Sequence, residues 1–335
     1  MNEKYLSNEH QENDLSQIKM THTLLTVQNM RKTYGRSFVA LDDFCCEIQT
    51  GVTGLLGPNG AGKTTFLRCL LGILPFENGT IHFKDFTLPQ DLKKVQDFFG
   101  YQPETETRML RTSAMSYVTH IGKIAGLPRK DALHRSFDVL HYVGLEEARY
   151  RDMNTFSSGM LQRVKLAAAL VQDPLMLILD EPTAGMDPQG RQQMLSLIYD
   201  LGHNHDKNII MSTHLLPDVE QTSDNVVVLS RGRTIKQGSL KSILTRKDDA
   251  ISLIIRISGD HNKFGSLLVD QGFVVIINRD EIQCQLKTND QENYKIIFKI
   301  AKKIGVDIRT MSPHRQTLEE VFLDLVDDDT KNTGG

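Results

Sequence analysis

Nine residues, Gly57 to Thr65, read G-P-N-G-A-G-K-T-T and separate an apolar run (Val52 to Leu56) from an apolar-periodic stretch (Phe66 to Leu74). A glycine-rich turn thus stands where a buried strand hands over to a helix, which commits this part of the chain to an α/β architecture. The glycines let backbone N–H groups close around phosphate oxygens, and the helix N-terminus adds its partial positive charge at the same spot. Lys63 is placed to reach the terminal phosphates of a nucleoside triphosphate, and Thr64 to offer its hydroxyl to Mg²⁺. Gly57, Pro58, Asn59, Gly60, Ala61, Gly62, Lys63, Thr64 and Thr65 are the expected phosphate cradle.

The chain has 335 residues, enough for two domains and a sizeable core. Its formal net charge is −3, from 39 basic and 42 acidic side chains, which gives no electrostatic case for nucleic acid as the main partner. Cys45, Cys46, Cys69 and Cys284 lack ligand-like spacing. Adjacent Cys45 and Cys46 point to opposite faces of a strand, so free thiols in a reducing compartment are expected. No stretch has the roughly 18 apolar residues of a membrane span, and the polar N-terminus lacks the apolar core of a signal peptide.

Three regions separate. Residues 23–243 alternate strand-like runs with helix-patterned stretches, as an α/β domain with a largely parallel sheet does. Its strand candidates are Leu24 to Val27, Val52 to Leu56, Leu175 to Leu179, Asn208 to Met211 and Asn225 to Leu229. Within it, residues 103 to about 169 carry helical patterns (Ser113 to Ala125, Lys130 to Val143) and form an expected helical insertion. A charged segment from Leu244 to Asp249 reads as a linker. Residues 250–326 then follow the order β-α-β-β-α-β of a small ferredoxin-like α+β unit, with a closing helix from Thr317 whose capping-box partner is Glu320. Residues 1–22 read as a disordered polar tail and 327–335 as a frayed one.

A phosphate loop by itself leaves kinases, GTPases, recombinases and transport ATPases open, and further features narrow the field. Leu177 to Leu179 is an apolar strand that ends in Asp180-Glu181-Pro182. Asp180 is then delivered beside the phosphate loop, where it can hold Mg²⁺ through water. Glu181, one residue on, is placed to polarise an attacking water as general base. Upstream, Phe156-Ser157-Ser158-Gly159-Met160 opens a helix-patterned stretch (Leu161 to Val171), a second site with outward-facing N–H groups and hydroxyls.

On these residues the stretch from Leu24 to Gly238 resembles the ATP-binding subunits of ABC transporters. GPNGAGKTT looks like their Walker A motif and LMLILDEP like their Walker B. FSSGM, followed by Leu161-Gln162-Arg163, looks like their LSGGQ signature. Gln102 falls at their Q-loop glutamine, Ala184-Gly185-Met186-Asp187 resembles their D-loop, and His214 matches their switch histidine. Tyr34 resembles the aromatic that stacks on adenine, with a core or edge tyrosine as the alternative.

The resemblance implies a P-loop NTPase fold and ATP with Mg²⁺ as cofactors. It implies two copies facing head to tail, each ATP lying between one phosphate loop and the other copy's Ser157, Ser158 and Gly159. Asp187 lies at that same nucleotide, Gln102 and Thr64 join Asp180 at the Mg²⁺, and His214 contacts the γ-phosphate beside the base Glu181. Ser158 stands where the signature has a glycine, and Met160 where it has its glutamine. They leave the backbone donors in place and bear on rate.

Gln316-Thr317-Leu318-Glu319-Glu320-Val321-Phe322 also looks like the closing helix of ATP-binding subunits from drug, sodium and polysaccharide exporters. That branch carries a small domain after the ATPase and separately encoded transmembrane permease subunits. The expectation is a motor subunit, favouring a homodimer, cytoplasmic and peripheral at the inner face of the membrane through its permease. The rival is a soluble ABC ATPase in translation, repair or cluster assembly. A single phosphate loop, the lack of a heptad run before the signature and the C-terminal appendage weigh against those three roles in turn.

Overall fold

The computed structural model describes residues 23–35, 37–104, 111–244, 252–278, 281–286, 291–313 and 318–322. The expected tails, most of the expected linker and the Thr317 cap lie outside them. The chain divides into two compact units, residues 1–237 and 238–335.

In the first unit the elements run β1 (Thr23–Tyr34), β2 (Phe38–Gln49), β3 (Val52–Leu56), α1 (Lys63–Leu70), β4 (Asn78–Phe83), β5 (Phe86–Leu88), α2 (Leu92–Val95) and β6 (Phe99–Gln102). Then come α3 (Ala114–Ile124), α4 (Arg129–Tyr142), α5 (Ser158–Leu170), β7 (Met176–Asp180), α6 (Pro188–His203), β8 (Asn208–Thr213), α7 (Leu216–Thr222), β9 (Asn225–Ser230) and β10 (Arg233–Ser239). The last strand crosses the division between the units.

Six strands form the central sheet in the order β10-β9-β3-β8-β7-β6. From β9 to β6 every neighbouring pair is parallel. Such strands are buried on both faces and therefore read as continuous apolar runs. Leu55, Ile178 and Ile210 face one core, which also holds Phe44, Phe66, Phe83 and Phe99. Leu177, Leu179, Ile209 and Met211 face the other, with Val164 and Leu166 of α5 and Met194 and Ile198 of α6. Val118 of α3 and Leu140 of α4 belong to this second core.

A second, antiparallel sheet of order β2-β1-β4-β5 covers the first core. Sequence reading found only Leu24 to Val27 of its long hairpin. Asn29 and Asp43 adopt left-handed backbones (φ 47° and 55°) at register shifts, and the Asn29 amide donates to the Asp43 carboxylate at 2.6 Å. These bulges break the period-2 alternation on which a strand is read.

The second unit continues with α8 (Leu240–Leu244), β11 (Ser252–Ser258), α9 (His261–Asp270), β12 (Val274–Asn278), β13 (Glu281–Gln285), α10 (Gln291–Ile304) and β14 (Asp307–Pro313). Leu244, expected in the linker, instead closes a short helix. The sheet order is β12-β13-β11-β14, antiparallel throughout. Its core joins Ile255 and Ile282 to Phe264 and Leu268 of α9 and to Ile297 and Ala301 of α10. Residues 318–322 are helical, with Leu318 and Val321 buried.

Candidate functional site

Parallel strands deliver their C-terminal ends to one edge of the sheet, and register decides which residues meet there. Leu56, the last residue before the phosphate loop, pairs with Thr213 of β8. On the other side of β8, Asp180 pairs with Ser212, and β6 ends with Gln102 beside Leu179. The phosphate loop, Asp180, Glu181, His214 and Gln102 are therefore brought together by strand order.

The helix after the phosphate loop starts at Lys63, three residues earlier than its apolar period, so Lys63 and Thr64 occupy its first turn. Gly62 caps it with φ 107°, and a Cβ there would lie 2.7 Å from the Ala40 carbonyl oxygen. Only glycine fits both the backbone and the space. Lys63 is 6% exposed, and its ammonium donates to the Gly57 carbonyl at 2.7 Å and lies 3.6 Å from the Glu181 carboxylate.

Glu181 holds a left-handed backbone (φ 48°), its N–H donating to the carbonyl and hydroxyl oxygens of Ser212 at 3.2 and 3.1 Å. A non-glycine residue in this region costs on the order of 1–3 kcal/mol and persists only where its surroundings enforce it. Here the turn takes the side chain off the line of β7. Its two carboxylate oxygens lie 3.1 Å from His214 Nδ1.

Asp180 is fully buried and accepts from Thr64 Oγ1 at 3.0 Å and Ser212 Oγ at 2.6 Å, both on Oδ1. Its Oδ2 and the Oε1 of buried Gln102 have no hydrogen-bond partner among the described residues. Orphaned buried acceptors are costly, and an oxygen-only set of hydroxyl, carboxylate and amide carbonyl suits a hard divalent cation. The residues fit Mg²⁺. The Gln102 amide donates to Gln162 Oε1 of α5 at 3.0 Å, and Gln162 donates onward to the Ala184 carbonyl at 3.1 Å.

The cleft over the phosphate loop, about 260 Å³, is lined by Asn59 to Thr65 with Phe38, Ala40, Glu104 and Glu181. Tyr34 is exposed at its hairpin's end, with its hydroxyl 3.4 Å from Thr65 Oγ1 and its ring 6.3 Å from that of Phe38. Ser157, Ser158, Gly159 and Asp187 are elsewhere: they line a separate open cleft of about 800 Å³ that shares no residue with the first. Ser157 caps α5 through the Met160 N–H, Asp187 caps α6 through the Gly190 N–H, and the Ser158 hydroxyl donates to the Gly185 carbonyl at 2.6 Å. The departure from glycine at Ser158 thus ties the signature turn to the loop after Glu181.

Sequence reasoning missed Phe38, Ser212 and Gln162. Phe38 carries one available signal, as a large apolar residue that its own strand leaves exposed. The other two gain their partners from strand register and helix docking, which no local pattern encodes.

The family model for the ABC transporter matches residues 41–184. An uncharacterized ABC transporter ATP-binding protein of Synechocystis sp. is 35% identical over 281 residues, covering 82% of this chain and 75% of that one. The linearmycin resistance ATP-binding protein LnrL of Bacillus subtilis is 27% identical over 306 residues, 90% of this chain and 98% of LnrL. Among solved structures, cbiO1 of Clostridium perfringens, part of the ABC transporter complex cbiONQ, is 30% identical. It aligns with a TM-score of 0.59 over 66% of this chain and 90% of its own.

Proposed function

Because the chain belongs to the ABC transporter ATP-binding family, and is an ATP-hydrolysing subunit of that kind, we propose that it drives an exporter through separate permease subunits. The observation that carries the mechanism is the Glu181 carboxylate. It is buried at the sheet edge, held by a left-handed turn, and placed between the Lys63 ammonium and the His214 ring. A base so shielded from bulk water acts on a water at the γ-phosphate. Lys63 and the loop N–H groups hold the phosphates, and His214 orients the water. Thr64, Asp180 and Gln102 would hold Mg²⁺, which when bound would supply charge neutralisation on the phosphates. Tyr34, with Phe38 beside it, forms the wall for the adenine.

Dimer closure is supported by the separation of the two clefts. The cleft that the signature residues line shares no residue with the cleft over their own phosphate loop, so a second copy turned head to tail would bring them to the γ-phosphate. Both halves of such a site lie on this chain, which favours a homodimer. Export is supported by relatives named for linearmycin resistance, daunorubicin resistance and Nod factor export. Among the described residues no helix is long and apolar enough to cross a membrane, so a permease partner is what would hold the subunit at the inner face. Among the described residues between Gln102 and Asp180, the α-helices have 11, 14 and 13 residues and none is a coiled coil of the repair type. We infer further that the unit after residue 237 is a ferredoxin-like accessory domain, supported by its β-α-β-β-α-β order and its sheet order.

The test is a pull-down of tagged Glu181→Gln from host membranes in mild detergent with ATP. Recovery of a polytopic membrane protein is expected. Recovery only of cytosolic ribosomes, nucleic acid or iron–sulfur proteins overturns the exporter reading.

A further inference from the structure

Asp218 lies in α7, four residues after His214, and is fully buried. Its Oδ2 accepts from the Thr183 hydroxyl at 2.8 Å, and Thr183 lies two residues after Glu181. Its Oδ1 accepts from Arg191, from Nε at 2.7 Å and also from an η nitrogen. Arg191 stands on α6, about one turn beyond the capping Asp187. Three segments therefore meet on one carboxylate: the exit of β7 at Thr183, the start of α6 at Arg191, and the helix that follows His214.

The same two segments that meet at Glu181 and His214 thus meet again at Thr183 and Asp218. The β7–β8 ladder aligns the strands up to Asp180 and Ser212, and the second side-chain contact fixes the residues beyond the ladder. An ion pair that buries its carboxylate is a poor way to add stability, since packed apolar residues often do as well at such a place. Its gain is a defined geometry.

We propose that Asp218 is a positioning residue for ATP hydrolysis: through Thr183 and Arg191 it locks the Glu181–His214 pair to the start of α6. Movement of that helix start on dimer closure is then transmitted to the base. The proposal rests on the roles given above to Glu181 and His214, and the experiment separates the two.

Full-length protein carrying Asp218→Asn, His214→Ala, both together, and Thr183→Val or Thr183→Ser is assayed for kcat and KM in steady-state ATP hydrolysis. Affinity for a fluorescent ATP analogue and thermal melting are measured alongside. Asp218→Asn is expected to lower kcat about tenfold with KM and nucleotide affinity within about twofold. In the His214→Ala background it is expected to lower kcat less than twofold further, because the contact that Asp218 is proposed to position, His214 on Glu181, is already absent. Thr183→Val lowers kcat in the same way, and Thr183→Ser, which keeps the hydroxyl, restores it. A merely structural Asp218 would lower kcat by the same factor in both backgrounds, and that result overturns the proposal. If Asp218→Asn fails to fold, the Thr183 variants decide, with full kcat in Thr183→Val counting against it. A His214→Ala enzyme as fast as wild type would instead overturn the site assignment.

Discussion

Glu181→Gln exchanges one carboxylate oxygen for an amide with almost no change in shape, and two consequences follow from where that oxygen lies. At 3.6 Å from Lys63 Nζ, two unit charges interact by about 4–5 kcal/mol at an effective dielectric constant of about 20. That attraction competes with the triphosphate for the ammonium. Most of it is offset by the desolvation of both groups, so a net of about 1 kcal/mol, or roughly fivefold tighter ATP binding, is expected. Loss of the base should meanwhile slow hydrolysis by about 10²- to 10⁴-fold, about 3–5 kcal/mol in the barrier. The assay is single-turnover phosphate release with a parallel titration of a fluorescent nucleotide. Light scattering with Mg²⁺ and ATP should show the mass rising towards twice the 37.9 kDa of one chain. Hydrolysis within threefold of wild type would refute Glu181 as the base, and ATP binding weakened tenfold or more would refute the electrostatic argument.

Gly62→Ala places a Cβ against the Ala40 carbonyl at a positive φ. It should cost about 1–3 kcal/mol of stability and weaken nucleotide binding, read by thermal melting and titration; an unchanged melting temperature would refute the strain. Burial pushes the Cys69 and Cys284 thiols up to about 11 and that of Cys46 higher still, while Cys45 is exposed. Native protein should thus give one fast thiol with an aromatic disulfide reagent near neutral pH and the remaining three only on unfolding. Two fast thiols would contradict the packing. Asp42, Asp173 and Asp200 are held below the usual carboxylate range by hydrogen bonds from Arg233, Lys207 and Tyr142 respectively. A depressed folded pKa gives stability that is present above the unfolded value near 3.9 and lost as pH falls through the lower folded value. Melting should fall below about pH 4, by a small amount because these pairs face solvent. Replacing all three by Asn should flatten that fall.

The phosphate loop, β3, β7, β8 and β9 were legible because a strand buried on both faces leaves a continuous apolar run with a turn after it. The placement of Lys63, Asp180 and Glu181 at one edge of the sheet was legible because each follows such a run. The hairpin of β1 and β2 was not, since Asn29 and Asp43 interrupt its alternation with bulges. Ser212 at Asp180, Gln162 at Gln102 and Asp218 at Thr183 were invisible for another reason. They are 32, 60 and 35 residues from their partners, and only sheet register and helix docking close those gaps. The left-handed turn at Glu181 left no local trace either, because glutamate is not a residue that signals it.

The separation of the phosphate-loop cleft from the signature cleft has a genetic consequence. Under head-to-tail pairing, a Lys63→Ala chain and a Gly159→Asp chain are each inactive alone, because every site in either homodimer carries one lesion. When the two alleles are expressed together, the mixed dimer gathers both lesions into one site and leaves its other site intact. Two null alleles should then complement in the same cell, while the same two changes on a single chain should not be rescued by either parent.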